Sequence, residues 1–183
     1  MSGVVFVYLF YKMPTASAFR IFYILHPAHV VLSALVTASM YELHRKKPGG
    51  GSFLFKVFLV GYTGSIGIAT LSDSIIPYLG EVLLSLPNRE IHIGFIEKWW
   101  LVNPLAFLGV TIAYFRPATR FPHAGHVLLS TWASLFHIIL ALGGGLTPSL
   151  LFFILVFLFI SVWIPCCLSD IIFPLLFVEG RKE

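Results

Sequence analysis

The chain has 183 residues, 58% hydrophobic and only 11% charged, with a mean hydropathy of +0.92. Soluble proteins average about 25% charged residues, so this composition excludes an ordinary soluble domain and predicts an all-α polytopic integral membrane protein. The net charge of +4 sits in short loops, as positive-inside topology requires, and is no footprint for nucleic acid; the alternation of a transmembrane β-strand is absent.

In chain order, the first apolar segment is short: residues 3–11 are broken by Lys12-Met13-Pro14, and a first span is placed near 3–19. No basic region precedes it, which argues against a cleaved signal peptide. Residues 21–43 form a clear span closed by His44-Arg45-Lys46-Lys47 and a Pro-Gly turn. The next span covers 53–79, with Gly61, Gly64 and Gly67 as a smooth packing face and Pro77 as a break near its end. A polar loop occupies 80–100, and Trp99 and Trp100 suit a membrane–water interface. Three further spans are expected near 95–115, 121–142 and 150–177, the last bent at Pro165. The adjacent Cys166 and Cys167 imply no disulfide framework.

Two motifs are written twice at one offset. His26-Pro27-Ala28-His29-Val30-Val31-Leu32-Ser33 matches His123-Ala124-Gly125-His126-Val127-Leu128-Leu129-Ser130 as H-x-x-H-V-x-L-S, 97 residues later. Leu71-Ser72-Asp73 through Leu79 matches Leu168-Ser169-Asp170 through Leu176 as L-S-D-x-I-x-P-x-L, again 97 residues later, and Asp73 and Asp170 are the only aspartates. A shared register argues for internal duplication: a first repeat over 1–93 and a second over 94–183, each of three spans. An odd number of spans per repeat turns the second copy upside down, as in many secondary transporters. Alternating crossings place Arg45, Lys46, Lys47, Lys56, Arg116, Arg120, Arg181 and Lys182 on one side, against Arg20, Arg89 and Lys98 on the other. Both termini are therefore expected in the cytoplasm.

Residues at i, i+3 and i+7 share a helix face, so His26, His29 and Ser33 align, as do His123, His126 and Ser130. A polar stripe in a membrane helix faces a partner, a cavity or a pathway rather than lipid. The hairpin places Asp73 at the depth of His26 and His29, roughly 8–9 Å below one membrane face at 1.5 Å per residue; His123, His126 and Asp170 take the matching depth at the other. Two imidazoles and a carboxylate suit a divalent transition metal (zinc, iron, copper, nickel or manganese) with open coordination positions. Cys167 would soften the second site, and His92 with Glu97 form a weaker pair in the polar loop. Histidine, serine and aspartate also act as hydrogen-bond glue between membrane helices, so a purely structural staple is the competing explanation.

Three functions follow as expectations. The first is transport or handling of a divalent metal, or of protons coupled to a solute. The second is a membrane-embedded metal-dependent oxidoreductase or hydrolase acting on a lipid-soluble substrate. The third is a haem-binding or structural subunit, for which His at i, i+3 is less suited. The bilayer is the expected partner, with a homo-oligomer or larger membrane complex beyond it.

Overall fold

The computed structural model describes residues 7, 9–44, 51–143, 145–168 and 172–178. Asp170, the basic run 45–47, most of the segment 3–11 and the C-terminal residues 179–183 lie outside them. Among the described residues every regular element is helical: α1 (Thr15–His44), α2 (Gly51–Thr70), a π-helical turn (Leu71–Ile75), α3 (Ile76–Leu83), α4 (Gly94–Glu97), α5 (Trp99–Phe115), α6 (Arg120–Ala141), α7 (Pro148–Cys167) and α8 (Phe173–Leu176).

Four of the described segments are long and apolar enough to cross a membrane: Thr15–His44, Phe53–Leu83, Arg120–Ala141 and Pro148–Cys167; α5 is shorter. Large apolar side chains such as Phe55, Phe121, Phe152 and Phe159 stand exposed along them. A water-soluble surface rarely tolerates such patches, but a lipid-facing one requires them.

The centre of the bundle is α1, packed against α2, α5 and α6. In its most apolar window 67% of residues are buried, against 22% for α7, which therefore faces outward. Ala34, Leu35 and Ala38 of α1 meet Val57 and Val60 of α2 and Val110 and Ala113 of α5, while Ala18, Phe22 and Tyr23 meet the α6 run from Ala133 to Ala141. Small residues allow the closest approaches. A Cβ on Gly61 would lie 2.9 Å from that of Ala38, and one on Gly109 would lie 2.4 Å from the Val31 carbonyl oxygen. Gly67, expected on the same packing face as Gly61, faces open space.

Two boundaries differ from expectation in ways that move the polar residues. Helix α1 begins at Thr15, just after Pro14, rather than near residue 21, so residues 15–19 belong to α1 and not to a separate first span. Arg20 is exposed near one end of α1 and does not terminate it. His26 consequently lies about 16 Å along a helix of about 45 Å, at 1.5 Å per residue, well inside the bundle. Pro77 does not end the span expected over 53–79 either. It occupies the start of α3, and the missing proline N–H is absorbed by the wide turn before it, where the Ile76 N–H reaches back to the Leu71 carbonyl. The chain then stays helical to Leu83. Leu168 and Ile172, each 97 residues beyond the first and last residues of that turn, are π-helical as well. Thr147 caps α7, its side chain accepting from the Leu150 N–H, with Pro148 opening the first turn.

Candidate metal centre

The π turn carries Asp73 into the middle of the bundle, fully buried. Its Oδ2 accepts from Nδ1 of His26 at 2.9 Å and Nδ1 of His29 at 2.7 Å. Its Oδ1 accepts from the Ser72 hydroxyl at 2.7 Å and the Ser130 hydroxyl at 2.9 Å. Four donors thus fill the roughly four lone-pair sites of a carboxylate, which is how a buried charge is made tolerable. Ser134, one turn after Ser130, donates to the Ser72 carbonyl at 2.8 Å and fastens α6 to the same turn. The three residues expected to share one depth, His26, His29 and Asp73, are brought together. The roles differ from expectation: both imidazoles point N–H at one carboxylate oxygen, an arrangement of hydrogen bonds around an acceptor.

Those bonds fix tautomers. With Nδ1–H of His29 given to Asp73, its Nε2 is an acceptor, and Nδ1 of His126 stands 3.3 Å from it with the two rings stacked. In the tautomer of His126 that donates from Nδ1, Nε2 is the lone-pair nitrogen, and that atom faces Cys166 Sγ at 3.7 Å. A histidine that donates through one ring nitrogen and presents the other is the form that ligates metals. Ligand atoms of His123, His126 and Cys166 all lie within 4.8 Å of one another, the one such group among the described residues.

The two H-x-x-H segments, expected near opposite faces, therefore meet. Helices α1 and α6 run antiparallel: Ser39 accepts from the Ala118 N–H, Leu32 lies against Gly125, His29 against His126 and Phe22 against His137. Gly94 closes the other side of the hub, where an added Cβ would lie 2.4 Å from His26 Nε2. Ser33 is buried on the α1 face that carries His29. Cys167 is exposed, and its neighbour Cys166 reaches the histidines instead. Cysteine in an apolar run reads as a small hydrophobic residue, and the spacing before Asp170 pointed to Cys167 rather than Cys166.

A second polar group occupies the end of the bundle where α1 starts and α6 finishes. His137 Nδ1 donates to Glu81 Oε1 at 2.6 Å, both residues being fully buried. Glu81 Oε2 and His137 Nε2 have no hydrogen-bond partner, a cost of roughly 1–3 kcal/mol per atom when left unmet. The loop pair His92 and Glu97 is close by, Nδ1 to Oε2 at 3.5 Å, with Glu97 also accepting from the Tyr23 hydroxyl and, at 2.8 Å, the Ile93 N–H. Phe22 separates this group from the hub, its ring stacked on His26 and edge-on to His137.

Comparison with models of protein families, with curated proteins and with solved structures finds no match.

Proposed function

We propose that this is a multi-pass membrane protein that binds a divalent transition metal within its helical bundle and moves it across the bilayer. The observation that carries the reading is the convergence of His123, His126 and Cys166 within 4.8 Å, at the end of a chain of contacts that runs from Asp73 through His29 to His126. Two imidazoles and a thiolate favour a borderline-soft ion such as zinc or copper over manganese. Three protein ligands leave a coordination position open, which a cargo needs in order to leave. Asp170, assigned to the same set by the repeat, lies outside the described residues. His26, His29 and Asp73 act as positioning residues. The bound ion would displace the thiol proton of Cys166, so binding releases a proton.

Three observations support the inverted duplication. His29 contacts His126, its own counterpart 97 residues on, as residues beside a two-fold axis do. Their helices are antiparallel, and the π-helical positions recur at the same offset. With α5 added to the four longer segments, the described residues supply five spans, and the pairs α1–α2 and α6–α7 keep the inverted relation. Of the three ligands, His126 is buried against His29, midway along α1, and His123 is exposed near the start of α6.

The test is zinc uptake into proteoliposomes loaded with a zinc-sensitive dye. Uptake should occur with the native chain and vanish in His126→Ala. Metal retained on purified protein without flux would move the assignment to a membrane metalloenzyme. The saturation of Asp73 by four donors favours one other reading, a hydrogen-bonded lock with no metal; protein that neither retains nor transports any transition metal would establish it.

A further inference from the structure

We infer that the polar cavity at the α1–α6 end of the bundle is a second cation site, for a divalent transition metal held by nitrogen and carboxylate oxygen. The cavity has a volume of about 480 Å³, and its lining includes Glu81, Glu90, Glu97, His92 and His137 but no lysine or arginine. Three carboxylates with no compensating cation in the wall favour a positive occupant. The chemistry of the buried pair is more specific. Glu81 is 1% exposed and His137 is fully buried, and each keeps one polar atom, Oε2 and Nε2, without a partner. In the neutral imidazole that gives its Nδ1–H to Glu81 Oε1, Nε2 carries a lone pair. Both orphan atoms are therefore electron donors, and both belong to residues lining the same cavity. A ligand that satisfies lone pairs must be a Lewis acid or a rich hydrogen-bond donor. The carboxylate behind the histidine is the usual outer-shell partner of a metal-ligating imidazole. His92 and Glu97 line the same cavity, the His92 and His137 ring centroids being 5.5 Å apart; their donor atoms do not converge as those of His123, His126 and Cys166 do, so side-chain rotation would have to bring them onto the ion.

This site stands apart from the His123–His126–Cys166 centre. Along α6, His137 lies about 16 Å beyond His126 at 1.5 Å per residue. Nor does the duplication copy it: 97 residues from Glu81 stands Val178, and 97 before His137 stands Met40. It is a one-ended feature of the bundle and depends on none of the residues assigned to the metal centre.

Cobalt(II) titration of the full-length protein, purified in detergent without chelators, separates the two sites by colour. Cobalt bound to Cys166 shows a thiolate-to-metal charge-transfer band in the near ultraviolet; cobalt in the cavity, with nitrogen and oxygen ligands only, shows weak visible bands and no charge transfer. The native chain should bind a second equivalent of the latter kind. It should persist in Cys166→Ser and disappear in His137→Gln, with Glu97→Gln weakening it tenfold or more as a variant outside the buried pair. Native protein lacking that second equivalent, or a His137→Gln variant that folds and retains it, overturns the inference, and the cavity then holds only water. Loss of the charge-transfer band alone would refute the metal centre and leave the cavity site standing.

Discussion

Replacing Asp73 separates a positioning role from a ligating one. In Asp73→Ala the two imidazole N–H groups now 2.9 and 2.7 Å from Oδ2 lose their acceptor in a buried site, at roughly 1–3 kcal/mol each. The Ser72 and Ser130 hydroxyls can rotate toward other acceptors, so the expected loss of stability is about 2–6 kcal/mol. Asp73→Asn behaves differently. With its amide oxygen turned to the histidines and its NH₂ to the two hydroxyls, all four contacts survive, and only their charge assistance is lost. For the two imidazole bonds that difference is about 1 kcal/mol each, or about 2 kcal/mol together, part of which is offset by no longer burying a charge. Chemical unfolding in detergent micelles, followed by circular dichroism, should rank native above Asp73→Asn above Asp73→Ala. The Asn variant should still bind cobalt with a charge-transfer band, its affinity reduced about 10- to 100-fold as for other outer-shell changes. An Asn variant that loses the metal outright while remaining as folded as the native chain would make Asp73 a ligand and refute the positioning role.

Other substitutions test the frame around the hub. Gly94→Ala drives a Cβ to 2.4 Å from His26 Nε2, and displacing that ring should cost about 1–3 kcal/mol by analogy with overpacked cores, read as a lower thermal midpoint. Gly109→Ala meets a backbone carbonyl that cannot swing away, so it should destabilise the α1–α5 contact, whereas Gly67→Ala faces open space and should be neutral or gain up to about 1 kcal/mol from helix propensity; paired unfolding curves decide between them. Phe22, fully buried between His26 and His137, should cost about 3–5 kcal/mol as Phe22→Ala, and an unchanged unfolding midpoint would mean the two polar groups are not separated by packing.

The membrane class, the helical architecture and the association of His26, His29 and Asp73 were legible because each rests on a local rule: apolar run length, 3.6-residue periodicity, and the hairpin that returns one helix beside its neighbour. What escaped is tertiary. Arg20 reads as a span boundary, yet the helix continues through it because Ala18 and Phe22 are buried on the opposite side of that turn. That early start shifts the hub inward and lets His29 reach His126. Pro77 reads as a break, but a π turn accommodates a proline without ending the helix, and the added length carries Glu81 to His137. Cys166 and Cys167 are indistinguishable by composition; only the rotation of α7 about its axis decides which of them reaches the histidines.

The metal content of the purified protein tests the central claim most directly. The native chain and Cys166→Ser, prepared without chelators and compared by inductively coupled plasma mass spectrometry after exposure to equal zinc, should differ by one tightly held zinc per chain, with Cys167→Ser matching the native protein. Native protein carrying no transition metal, or a Cys166→Ser variant holding as much zinc as the native chain, would contradict the assignment of His123, His126 and Cys166 as a metal centre.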